Sequence, residues 1–122
     1  MGIEDDDKAA AAKAREPRVT LNTIKAAVRA TWFSTLFDML PKPYPDLDAA
    51  DAVSLKTMTV CVLLFNNGFI IIGKSAPASP ANYNKELGEK FAHEDALRQA
   101  WPLFGFNLKE MQYGNASWDG EF

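Results

Sequence analysis

Apolar residues recur at three- and four-residue steps along the first half of the chain. Leu21, Ile24, Val28, Trp32, Leu36 and Leu40 fall on one line, with Phe33 and Phe37 beside it. That period is the one-sided stripe of an amphipathic helix, and it predicts a first helix over 20–40. Thr20 stands where an N-cap hydroxyl is wanted, and Pro41 and Pro43 stop the pattern. The next stretch, PKPYPDLDAADAV, has three Pro and three Asp. It reads as a loop over 41–53, long enough to suggest a binding or lid role.

The pattern changes after Lys56. TMTVCVLLF at 57–65 and FIII at 69–72 are rich in β-branched and aromatic residues, with Asn66-Asn67-Gly68 between them. Asn-Gly is a strong hairpin signal because both residues tolerate positive φ, so a hairpin is expected over 57–74. Neither strand alternates clearly, which predicts a sheet covered on both faces, by helices or by a partner chain. SAPASP is a turn, and Ser79-Pro80 supplies an N-cap and a first-turn proline for a second helix over 80–101. Tyr83, Leu87 and Phe91 form a stripe on it. Gly88, Ala92, Ala96 and Ala100 form a neighbouring stripe of small residues, which predicts close approach to the sheet or to the first helix. Pro102 is read as its end, with Leu103, Phe104 and Phe106 folding back on the core and the last residues fraying.

Residues 1–17 show no apolar face, and E-D-D-D-K resembles a protease-site tag remnant. They read as a disordered arm or such a remnant. The organisation is then a single α+β domain over 18–110 and a polar tail over 111–122. The domain holds an N-terminal helix, an antiparallel hairpin, a second long helix and a short C-terminal tail. Two strands alone are marginal. Either a third strand comes from the tail, or two chains join their sheets, and a homo-oligomer is expected.

The 122 residues are one domain's worth, and three Trp, three Tyr and eight Phe suffice to fill a core. No apolar run approaches the roughly 20 residues of a membrane span, and the acidic, Ala-rich start is unlike a secretory signal. The lone Cys61 lies in an apolar strand-like run, so it reads as a small core residue. A cytoplasmic location without a membrane partner is expected. Net charge −3, without a Lys/Arg cluster, argues against general nucleic-acid binding.

Gly68 to Ser75 fits the phosphate-loop string G-x-x-x-x-G-K-S. Its middle residues, Phe69-Ile70-Ile71-Ile72, favour a strand over a cradle, and Ala-Pro-Ala-Ser-Pro after Ser75 forbids the required helix. Cys61 and the single histidine, His93, form no recognisable nucleophile–base pair, and His93 reads as a solvated helix residue. Asp95 continues the Tyr83, Leu87, Phe91 stripe, where it either accepts hydrogen bonds in a polar pocket or marks the stripe's wet end. Asp46, Asp48 and Asp51 lack the spacing of a calcium loop and read as solvated. No catalytic residue, metal site or cofactor is assigned.

Four segments carry a resemblance: RVTLNTIK near the start, TVCVLLFNNGFIIIGKSA in the middle, SPANYNKELGEKFAHEDA after it, and WPLFGF last. From Arg18 to Leu108 the chain resembles a family of small tailed-phage proteins, known by gene products 49 and 66 of two podophages. Members often have Asn in place of Asp95 and an acidic residue in place of Lys74. The resemblance implies a phage-encoded, non-enzymatic accessory protein in the bacterial host cytoplasm. Such a protein would bind a host protein to redirect or inhibit host or defence functions, with 41–53 and 75–83 as contact segments. An alternative is an oligomeric sponge for a small anionic, nucleotide-like ligand. Its pocket would be lined by Ser75, Ser79, Asn82, Tyr83 and Asp95, with phosphate at the helix start after Ser79. A virion-associated structural protein is a further alternative.

Overall fold

Three antiparallel strands in the order β1-β2-β3 frame the molecule: β1 (Val28–Thr35), β2 (Thr59–Phe65) and β3 (Ile70–Ser75). Four helices accompany them: α1 (Ile3–Lys13), α2 (Leu21–Ala27), α3 (Ala49–Lys56) and α4 (Lys85–Ser117). The structure, a computed structural model, describes residues 2–13 and 17–117. The fold is α+β, with helix first, antiparallel sheet in the middle and a long helix last. The fraying expected of the final residues falls on 118–122, outside the described residues.

The hairpin stands where its turn signal lies. Gly68 N donates to Phe65 O at 2.9 Å and Phe65 N to Phe69 O at 2.9 Å, closing the turn. Only Gly68 takes a positive φ, 88°, while both asparagines stay at negative φ. The turn therefore places its single left-handed residue at Gly68, the geometry of a three-residue loop ending in a bulge. The Asn67 side chain adds a local acceptor, bonded by Phe69 N at 2.9 Å.

The expected helix over 20–40 is corrected. Thr20 caps a helix, accepting from Thr23 N at 3.0 Å, but the helix ends at Ala27 and the chain turns into β1. VRATWFST contains Val28, Thr31, Trp32, Phe33 and Thr35, residue types that suit a pleated surface better than a helix interior. Pairing with β2 decides between the two periods, from Val28 opposite Phe65 to Thr35 opposite Thr59. The third strand thus comes from the first half of the chain and not from the tail.

Three further elements differ from expectation. Part of the 41–53 loop is helix α3. Asp48 accepts from Asp51 N at 2.8 Å, and Asp48 N donates to the Asp51 carboxylate at 3.3 Å. These two carboxylates close a capping box, with Asp51 in the place usually held by Glu or Gln. Helix α4 starts at Lys85 and not at Pro80. Pro80–Asn82 is a separate 3-10 turn, and Asn84 caps α4 by accepting from Leu87 N at 3.0 Å. The helix then continues through Pro102, because the turns beyond it still meet the core: Trp101 and Phe104 pack against it, and the Phe104 ring lies 5.8 Å from Phe65. Finally, the arm read as disordered contains α1. Three acidic residues in its first turn, an Ala run and Lys13 in its last turn suit a helix and its dipole. Ile3 is buried, Ile3 N donates to Glu94 at 2.8 Å, and Asp7 pairs with Arg18 at 2.8 Å.

The core lies between the sheet and α4. Cys61, Leu63, Phe65 and Ile71 face Ala92, Ala96, Leu97 and Ala100, with Leu21 and Ile24 closing one end. The small-residue stripe lets α4 approach to backbone contact. A Cβ on Gly73 would collide with the Ala92 carbonyl and stand 2.6 Å from Ala96 N, and a Cβ on Gly88 would stand 2.6 Å from Thr59 Oγ1. At Gly73 helix and strand touch main chain to main chain, so neither can yield, while at Gly88 the helix rests on the Thr59 side chain. The same contact buries the Thr59 hydroxyl without a hydrogen-bond partner.

Gly73→Ala should therefore destabilise the fold by about 3 kcal/mol, the upper end of ordinary overpacking. Thr59→Val, which removes the unpaired hydroxyl at similar shape, should raise stability by about 1 kcal/mol. Urea denaturation midpoints of the two variants check both signs.

Candidate functional site

Alternation along the strands separates two faces. Odd-numbered residues of β2 and β3, such as Cys61, Leu63, Ile71 and Gly73, lie under α4. Even-numbered residues point the other way: Trp32 on β1, Val62 and Leu64 on β2, and Ile70 and Ile72 on β3. The register sets Trp32 opposite Val62 and Val62 opposite Ile72, so one apolar row crosses all three strands. Trp32 is 49% exposed, Ile70 57% and Ile72 54%. Val62 and Leu64 between them are half-buried, and Lys74 is the only charged side chain set on this face by the strand pairings. Cover on both faces was expected from helices or from a partner chain; within this chain α4 covers one face, and on the other Val60 is buried at the Thr59 end while the Trp32–Ile72 row is open. Large apolar side chains grouped on one face are the kind of surface that proteins use to meet a partner.

The five residues of the expected ligand site are spread over β3, the 3-10 turn and α4. Ser75 ends β3 and is half-buried, Ser79 and Asn82 are exposed on the 3-10 turn, and Tyr83 is half-buried against Gly88. Ser79 makes no side-chain cap bond, so no long helix begins at it. Asp95 stands on α4 beside the end of β3. Its carboxylate accepts from Lys74 N at 2.9 Å and from Gln99 Nε2 at 3.3 Å, and Gln99 Nε2 donates to Ile72 O at 2.9 Å. Asp95 and Gln99 thus satisfy outward main-chain groups of β3 and close that sheet edge. Four residues of helix rise about 6 Å, close to the length of two strand residues, so an i, i+4 pair spans Ile72 to Lys74.

The expected contact segments are 41–53 and 75–83. Both lie in connections leaving the end of the sheet where Thr35, Thr59 and Ser75 stand side by side. At the opposite end, Ala27, Phe65, Phe69, Ile71, Leu103, Phe104 and three asparagines line an apolar groove of about 420 Å³. A second hollow of about 520 Å³ lies between α1 and α4, and a third of about 190 Å³ lies beside His93 and Glu94. None of the five expected site residues lines any of these.

Titratable chemistry is sparse. Cys61 is fully buried, and burial pushes its thiol up to about 11, the opposite of an activated nucleophile. His93, expected to be solvated, is half-buried edge-on to Phe33. Burial and then the Lys25 ammonium hold its pKa below the usual value, opposed by Glu94. Among the described residues no group of three or more His, Cys, Asp or Glu is placed to hold a metal ion. The phosphate-loop string is β3 itself, with Lys74 N bonded to Asp95.

Sequence reasoning missed the open face because it assigned Trp32 to a helix. The signal was present in the β-branched and aromatic residues of 28–35.

Asp95→Ala should cost about 1 kcal/mol and speed hydrogen exchange at the Lys74 amide, whereas Asp95→Asn keeps an acceptor oxygen and should leave that amide protected. Exchange measured by NMR separates the two variants. Cys61 should react with a thiol reagent at least about 100-fold more slowly in the folded chain than in urea, since raising the thiol pKa from 9.0 to about 11 alone removes that much thiolate.

No curated protein and no solved structure matches the chain. The model of one protein family matches residues 19–111, from just before α2 through most of α4, and so takes in the whole sheet. That span is well over half of the 122 residues. The chain therefore belongs to the phage protein (N4 Gp49/phage Sf6 gene 66) family.

Proposed function

We propose that this phage protein is a non-enzymatic accessory module that binds a protein of the bacterial host through the open face of its sheet, redirecting or inhibiting a host or defence function in the host cytoplasm. The observation that carries the reading is the row Trp32, Val62, Ile72, with Ile70 and Leu64 beside it, left bare on a sheet whose other face is packed. An apolar centre with Lys74 at its border has the composition of an interface core and rim. The aromatic anchor, Trp32, is of the type that dominates binding energy. Burial holds the Cys61 thiol protonated, which counts against a thiol nucleophile.

The test is affinity capture from host lysate with the full chain. The wild type should retain a host protein that Ile72→Lys loses by at least about tenfold, with circular dichroism unchanged. Leu87→Lys, on the exposed surface of α4, should retain it. Equal capture by the wild type and Ile72→Lys would overturn the reading.

A further inference from the structure

The two edges of the sheet are treated differently. The β3 edge is closed by Asp95 and Gln99. The β1 edge has no such cover. Leu36 N donates to Met58 O at 3.1 Å, extending the β1–β2 register by one pair. Hydrogen-bonded and non-bonded pairs alternate along an antiparallel ladder. Trp32 and Ser34 therefore exchange bonds with β2, and the main-chain groups of Thr31 and Phe33 point outward. Among the described residues no group bonds them. Helix α4 lies over β2 and β3, and Thr31 is exposed, which leaves room beside β1 for another strand. β1 has edge protection only at its start, where the exposed Arg29 and the one irregularity lie between Val28 and Ala30; from Ala30 to Thr35 it contains neither Pro nor a charged residue.

We propose that a second copy of this chain occupies this edge, pairing β1 with β1 antiparallel about a two-fold axis at Trp32, so that two sheets become one. The inference goes beyond the proposed function and does not depend on what the open face binds. A second copy fits because its own β1 edge is equally unprotected from Ala30 to Thr35 and the strand is self-complementary. With the axis at Trp32, Thr31 of each copy faces Phe33 of the other, and their outward N–H and C=O groups bond each other. Trp32 then meets Trp32 as a non-hydrogen-bonded pair, the closer kind, where aromatic pairs contribute most. Arg29 falls near Thr35, so like charges do not meet. Sliding the pairing by two residues sets Trp32 against Ala30 or Ser34 and loses the aromatic pair. The row Ile72, Val62, Trp32 continues into its symmetry mate, doubling the apolar face.

Native mass spectrometry of the full chain at micromolar concentration should give twice the 13.5 kDa chain mass. Thr31→Pro removes an outward N–H and leaves the inner ladder intact. It should give a folded chain of single mass, with unchanged circular dichroism. Trp32→Cys should form an intermolecular disulfide under mild oxidation, since the facing Cβ atoms come within bridging range and Cys61 is buried. A wild type of single mass would overturn the proposal, as would a dimer that survives in folded Thr31→Pro. If Thr31→Pro does not fold, Trp32→Cys decides: a dimer that forms no cross-link refutes the Trp32 axis. A dimer dissolved by Ile72→Lys but not by Thr31→Pro is a face-to-face dimer and also refutes it.

Discussion

The contact of α4 main chain with β3 main chain at Gly73 is the constraint on which the rest depends. Gly88, Ala92, Ala96 and Ala100 present almost no side chain, so the helix settles onto the sheet at backbone distance. At that distance Leu97 and the small residues complete the core with Cys61, Leu63 and Ile71. The closeness also lets short polar side chains reach the strand edge. Asp95 and Gln99 can bond Lys74 N and Ile72 O only because α4 lies so near β3. The unpartnered Thr59 hydroxyl is a cost of the same approach: Gly88 covers it and has no hydrogen-bonding side chain to offer.

One helix covering one face of a three-stranded sheet leaves an asymmetric object. One face is packed by α4 and the other is open along the Trp32–Ile72 row, and one edge is closed and the other is open. Both unpartnered surfaces share Trp32, whose side chain is on the bare face and whose strand is the open edge. Three carboxylates weighed in the sequence are engaged in structure: Asp48 and Asp51 in a helix cap and Asp95 on a strand edge. The thiol is sealed in the core. The chain belongs to the phage protein family, and for the binding role proposed above the open face and the open edge are the surfaces available.

Much of the framework was legible in the residues. Asn-Asn-Gly placed the hairpin because only a left-handed residue closes that turn. The small-residue stripe announced a close helix–sheet contact because side-chain volume sets interaxial distance. Three consecutive isoleucines excluded a phosphate cradle. Local periodicity failed between Val28 and Leu40, where one spacing serves a helix and the residue types serve a strand. It failed again at Pro102, where local preference says stop and Phe104 against Phe65 says continue. Ser79, read as the start of the long helix, begins a 3-10 turn instead.

The sequence by itself determined the α+β class, the turn at Asn66–Gly68, the seam of small residues and the buried thiol, because each rests on the conformational limits or size of residues adjacent in the chain. The tertiary structure alone decided that residues 28–35 are a strand, that α4 covers only one face, and that Asp95 closes one edge while Thr31 and Phe33 leave the other open. Those outcomes depend on pairing between segments far apart in sequence. Such pairing can override a local period, and it alone determines which side of a strand meets protein and which is left without a partner.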